Sequence, residues 1–156
     1  MDNNELLRHI RKVLALNENG MAEIFRINCP DMNASQVRNF LRQSNEADFC
    51  ACADSNINQF LDALIEHNRG SNQNPTTYLN SAPSNNTILK KLRIAFNLKD
   101  PDMVQIFEAS ATEVSKQELK SLFRNPDHKN FKACDDALLR NFLKGLAKHS
   151  RPSKPN

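Results

Sequence analysis

Cys50-Ala-Cys52, with Cys29 as a third thiol, is the part of this chain that comes nearest to half of a metal site. Tetrahedral zinc takes four ligands, usually as two close pairs. No second pair exists, so Cys52 and Cys134 read better as small buried residues that anchor a loop against a helix. His128 stands in Asn125-Pro-Asp-His-Lys-Asn130, a polar loop dense in donors and acceptors. A general base there would need Asp127 to orient it and a nucleophile or metal to act on. Adjacent residues seldom orient one another in that way, and neither of the other parts is present. Asn125, Asp127, His128 and Asn130 are therefore expected to form a recognition or structural loop, stiffened by Pro126 and closed by Phe131. No catalytic residue, metal site or cofactor is expected. His67 and His149 suit the negative ends of helices. Arg11, Arg42, Arg93 and Arg124 lie at the margins of apolar faces, where pairing with Asp54 and Asp136 predicts a repeated Arg–Asp bridge.

The larger chemical signal is basic charge, and it is uneven. Of the 156 residues, positions 1–70 carry 7 basic and 10 acidic side chains, a net of −3. Positions 85–156 carry 14 and 8, a net of +6. A basic half-molecule points to an anionic partner, nucleic acid or an acidic protein; the plainer account is that solvated helix faces carry lysine. Three well-separated glycines (Gly20, Gly70, Gly145) exclude a phosphate-cradling P-loop and a dinucleotide fingerprint, both of which need several glycines in one turn. No apolar run approaches the length of a membrane span, and the polar start MDNNELLRHIRK has no signal-peptide stretch. A soluble cytoplasmic protein without disulfides is the expectation.

The elements that position these groups come from a duplication. Sliding residues 3–70 over 85–152 aligns 68 positions without a gap, and 18 are identical where composition alone gives roughly four. The matches include Asn3-Asn4 with Asn85-Asn86, Arg11 with Arg93, Cys52 with Cys134, and Phe60-Leu61 with Phe142-Leu143. Copy one takes 1–70 and copy two 85–152. The stretch 71–84 between them lacks any charged residue and predicts a flexible tether of about 20 Å. Residues 153–156 form a tail. Each copy reads as four short helices, with Asn4 or Asn86 capping the first and Asp100 the second of copy two. Ser115-Lys-Gln-Glu118 forms a capping box at the third, expected over 116–124. The fold class is all-α: two tandem four-helix modules packed together around a pseudo-two-fold axis, since a 68-residue copy alone is marginal.

Leu89-Lys-Lys-Leu-Arg-Ile-Ala-Phe96, Pro126-Asp-His-Lys-Asn-Phe131, Cys134 and Asn141-Phe-Leu-Lys-Gly-Leu146 closely resemble the YehS-like bacterial proteins, a duplicated-module family of unknown function. The first copy departs in its loop, where Asn45-Glu-Ala-Asp48 replaces Asp127-His-Lys-Asn130. The resemblance implies this fold and a bacterial cytoplasmic setting, and brings no catalytic residues.

In copy two, helices over 88–98, 102–109 and 116–124 follow the chain order of a helix-turn-helix, whose third helix enters the major groove. Lys116, Gln117, Lys120, Ser121 and Arg124 would then face base edges and phosphates, with Lys129 and Lys132 beside them. Against this, the connection at 110–115 is longer than the usual turn and lacks its glycine. The expected function is non-enzymatic: a regulatory nucleic-acid-binding protein. The alternative is an interaction adaptor whose oppositely charged halves bind partners or pair head to tail between molecules as a homo-oligomer.

Overall fold

The computed structural model of the chain describes residues 1–70 and 81–150. The expected tether at 71–84 therefore lies, except for its last four residues, outside the described residues. So do the tail at 153–156 and positions 151–152 of copy two. Eight helices, and no strand among the described residues, make up the fold. Copy one contributes α1 (Asn3–Leu14), α2 (Glu18–Phe25), α3 (Ala34–Leu41) and α4 (Asp54–Arg69). Copy two contributes α5 (Asn85–Ala95), α6 (Asp100–Ala109), α7 (Lys116–Leu122) and α8 (Asp136–Ser150). No helix among the described residues is long and apolar enough to cross a membrane.

The copies dock reciprocally. α1 of the first packs on α8 of the second, and α5 of the second packs on α4 of the first. Exchanging the copies turns one junction into the other, which is the pseudo-two-fold axis. Buried side chains from both copies form one apolar cluster. Its repeated centre is a pair of phenylalanines, Phe25 with Phe60 (4.7 Å between ring centroids) and Phe107 with Phe142 (5.4 Å). All four rings are fully buried, and each contributes roughly 1.5–3 kcal/mol through burial alone. Cys52 and Cys134 are buried too, and burial pushes their thiols up to about 12 and about 11. Cys50 is exposed, and the Cys29 thiol lies 2.7 Å from Gln59 Oε1.

Several capping residues differ from expectation. Asp2, not Asn4, caps α1, accepting from the Glu5 N–H, and Ser84, not Asn86, caps α5. The repeated asparagines reach across the fold instead. Asn4 donates to the carbonyls of Phe40 and Cys50 and accepts from the Cys52 N–H. Asn86 repeats this with Leu122, Lys132 and Cys134. Each asparagine thereby ties the end of the third helix to the returning loop. Their neighbours Asn3 and Asn85 donate to Asp54 and Asp136 at 2.7 and 2.8 Å. Lys99 takes the cap position of α6, with Asp100 and Pro101 in its first turn. Ser115 does cap α7, accepting from the Glu118 N–H.

The repeated Arg–Asp bridge does not form. Nε of Arg11 and of Arg93 donates to the carbonyl of Leu16 and Leu98, closing the turn after the first helix of each copy. Those turns place Ala15 and Asn97 at φ 53°, in the left-handed region, which leaves the carbonyls pointing back at the arginines. Asp54 and Asp136 are held by Asn3 and Asn85, and Asp136 also receives the Met1 amine.

Candidate nucleic-acid interface

α7 is two turns long and ends at Leu122, because Asn86 captures the Leu122 carbonyl and Lys132 N–H captures that of Ser121. Phe123 and Arg124, expected inside the helix, fall just beyond it. Phe123 caps the helix, with its ring half-buried under the Arg93 guanidinium, whose Cζ lies 4.8 Å from the ring centroid. Three adjoining depressions, of about 370, 360 and 270 Å³, surround this ring. Lys90 and Arg93 of α5 and Lys120 and Arg124 of the α7 segment stand along them, with the exposed Ile94 (42% exposed) part of the apolar floor.

These cations are not equally available. Arg93 donates to Asp100 Oδ1 at 2.6 Å as well as to Leu98. Lys132 is turned to Glu118 Oε2 at 2.9 Å, and its hydrogen bond holds the Glu118 carboxyl below the usual glutamate range. Arg124 differs from its counterpart in the first copy. There, Arg42 Nε donates to Asn39 Oδ1 and Nη1 lies 3.7 Å from the Glu46 carboxylate. In copy two those partners become Ser121 and His128. The Ser121 hydroxyl donates to the Gln117 carbonyl, and Arg124 Nε is buried with no hydrogen-bond partner. Arg124 Nη1 is 3.2 Å from His128 Nε2, while His128 Nδ1 receives the Asn130 N–H. Both ring nitrogens thus face donors, and an imidazole carrying at least one N–H accepts from only one. The arginine keeps donating capacity that its own fold does not satisfy.

Lys120 and Arg124 are the expected site residues that the fold brings together. Lys116 and Gln117 are exposed in the first turn of α7, Lys129 is exposed in the loop, and Lys132 is engaged with Glu118. The loop is built on itself: Asn125 accepts the N–H of Asp127 on its side chain and that of His128 on its carbonyl. Lys90 and Phe123 join this surface without having been expected there. The signal was available, since both belong to exposed or marginal positions of amphipathic segments.

The family model for a protein of unknown function, DUF1456, matches this chain twice, over residues 3–70 and 85–151. The chain is also similar to the uncharacterized protein YehS of Escherichia coli (strain K12), with 37% identity over 155 residues that cover 99% of each chain. No solved structure matches the chain.

Proposed function

The chain belongs to the DUF1456 family, whose description assigns no activity, and from the chemistry of its surface we propose a non-enzymatic nucleic-acid-binding protein that binds through its second copy. The observation that carries this reading is Arg124. At the same position of the same module, copy one supplies an amide and a carboxylate to the guanidinium, and copy two supplies neither. A guanidinium fork of this kind donates in parallel to two oxygens of one phosphate. Lys90, Lys116 and Lys120 extend the cationic surface, and the Phe123 ring beneath Arg93 offers a face of the kind on which bases stack. The chain order α5–α6–α7 is the one a helix-turn-helix uses, with a longer connection at 110–115, and the exposed Lys116, Gln117 and Lys120 would then lie on the reading helix.

The adaptor alternative draws less support, because part of the opposite charge already meets inside the molecule. Lys91 Nζ lies 2.7 Å from Asp62 at one junction, and Arg140 Nε lies 2.6 Å from Glu5 at the other.

The test is binding of duplex and single-stranded DNA and RNA of mixed sequence at two salt concentrations. Four phosphate contacts predict roughly a hundredfold loss of affinity between about 50 and about 200 mM salt. Substituting Lys116, Lys120 and Arg124 together by Glu is expected to abolish binding with the helical circular dichroism unchanged. Absence of binding at the lower salt, or an unaltered affinity in the triple variant, overturns the reading.

A further inference from the structure

The two junctions between the copies are related by the pseudo-two-fold axis, yet their charges differ. Where α5 meets α4, Lys91 is buried against Asp62, and Glu66 follows one turn later on α4. Where α1 meets α8, the same positions are His9, Lys144 and Lys148, and Ile94 is matched by Lys12. Lys91, Asp62 and Glu66 sum to −1, whereas Lys12, Lys144 and Lys148 sum to +3 beside His9.

This second junction is open. A cleft of about 540 Å³ runs between α1, the end of α6 and α8, larger than any of the depressions around Phe123. Its rim carries His9, Lys12, Lys144 and Lys148, its floor includes Leu143 and Ala147, and no carboxylate among the described residues lines it. Glu5 lies 3.4 Å from His9 but is held by Arg140 in two hydrogen bonds. Lys148 is braced by donating to the Ala109 carbonyl at 3.1 Å, and Lys12 and Lys144 are exposed. The volume lies in the range of small-molecule sites, and an apolar floor under converging cations suits an anion that carries an organic body.

We infer that this inter-copy cleft binds a small phosphorylated organic molecule, its phosphates among His9, Lys12, Lys144 and Lys148 and its body on Leu143 and Ala147. The site needs both copies: α1 supplies two of the four nitrogen groups and α8 the other two. It shares no residue with the surface around Phe123, so the inference stands apart from the nucleic-acid reading.

The experiment is calorimetric titration of the full chain with ATP and with pyrophosphate at low ionic strength, with the His9 ring resonances followed in parallel. Saturable binding of both is expected, ATP about tenfold tighter because its body covers part of the floor, with the His9 resonances moving in step with saturation. The double substitution Lys144→Asp and Lys148→Glu copies the charge pattern of the other junction, and it is expected to weaken ATP by at least about tenfold. Lys120→Glu with Arg124→Glu leaves the affinity unchanged. No saturable binding of either probe overturns the proposal. So does an affinity indifferent to the α8 pair, or one lost equally with the α7 pair. Equal affinity for ATP and pyrophosphate overturns the place given to the organic body.

Discussion

Gly145→Ala is the sharpest test of the packing that holds the second copy together. A Cβ built on Gly145 falls 1.9 Å from the Ile106 carbonyl oxygen and 2.8 Å from its carbon, so the obstacle is the backbone of α6. No rotamer change relieves such a clash. α8 would have to withdraw from α6 beside Phe107 and Phe142, which lie in contact at that level. Replacing a helical glycine by alanine normally stabilises by about 1 kcal/mol. Overpacking a well-filled site costs about 1–3 kcal/mol and more where backbone must move. With the overlap at backbone, the upper end of that range applies, for a net loss of about 2 kcal/mol. For a chain of this length that lowers Tm by roughly 4–8 °C. Thermal and urea unfolding measure it, with Ala63→Gly as the reciprocal change in the first copy. Ala63 is fully buried, and its loss is also expected to destabilise, by about 1 kcal/mol or more. A Gly145→Ala chain as stable as the parent, or more stable, would refute the close approach of α6 and α8.

The asparagine clamps give a second expectation. Asn86→Ala strands two carbonyls and the Cys134 N–H, at a cost of about 2–3 kcal/mol, and Asn4→Ala costs more because Asn4 is buried. Faster hydrogen exchange at the Cys134 and Cys52 amides reports the loosened loops, and unchanged exchange would contradict the clamp. The third concerns pH. His9 is held below the ordinary histidine range, first by burial, against the opposing pull of Glu5. Its unfolded form binds the proton more readily, so stability falls as pH drops through and below 6.5, and His9→Gln removes that step. Glu5 is held low, first by the hydrogen bond from Arg140, so its contribution is present above the unfolded glutamate value and fades as pH falls through the lower folded one. Urea unfolding at about pH 8 and about pH 5.5 tests the upper step, and equal stability at both contradicts it.

The helices were legible in the sequence because their apolar positions recur twice, 82 residues apart, with the same spacing. The reciprocal docking was legible in outline, since neither copy has chain enough to stand alone. The caps were misread for a physical reason. Asn4 and Asn86 look like local N-caps, but they bond to groups 36 to 48 residues away, which no local pattern encodes. The arginines were misread similarly: Arg11 and Arg93 satisfy carbonyls five residues on, where a left-handed residue turns the chain back. Of the expected basic face, Lys120 and Arg124 converge because α7 stops short, and Lys132 is lost to Glu118. The inter-copy cleft was beyond reach from sequence alone, because it exists only once α1 lies against α8.

The pseudo-two-fold docking has a consequence for what the duplication permits. A homodimer of one such module would bury the same two junctions, but any residue placed in one would stand in the other too. A cation at the position of Lys144 would then take the place of Asp62 as well, and Lys91 would face it buried. With both modules on one chain, the junctions carry independent sequences, so one holds the buried Lys91–Asp62 pair while the other stays cationic and open. Assembly is also freed from concentration, since the partner module is always at hand. The molecule behaves as a dimer whose halves can specialise without losing each other.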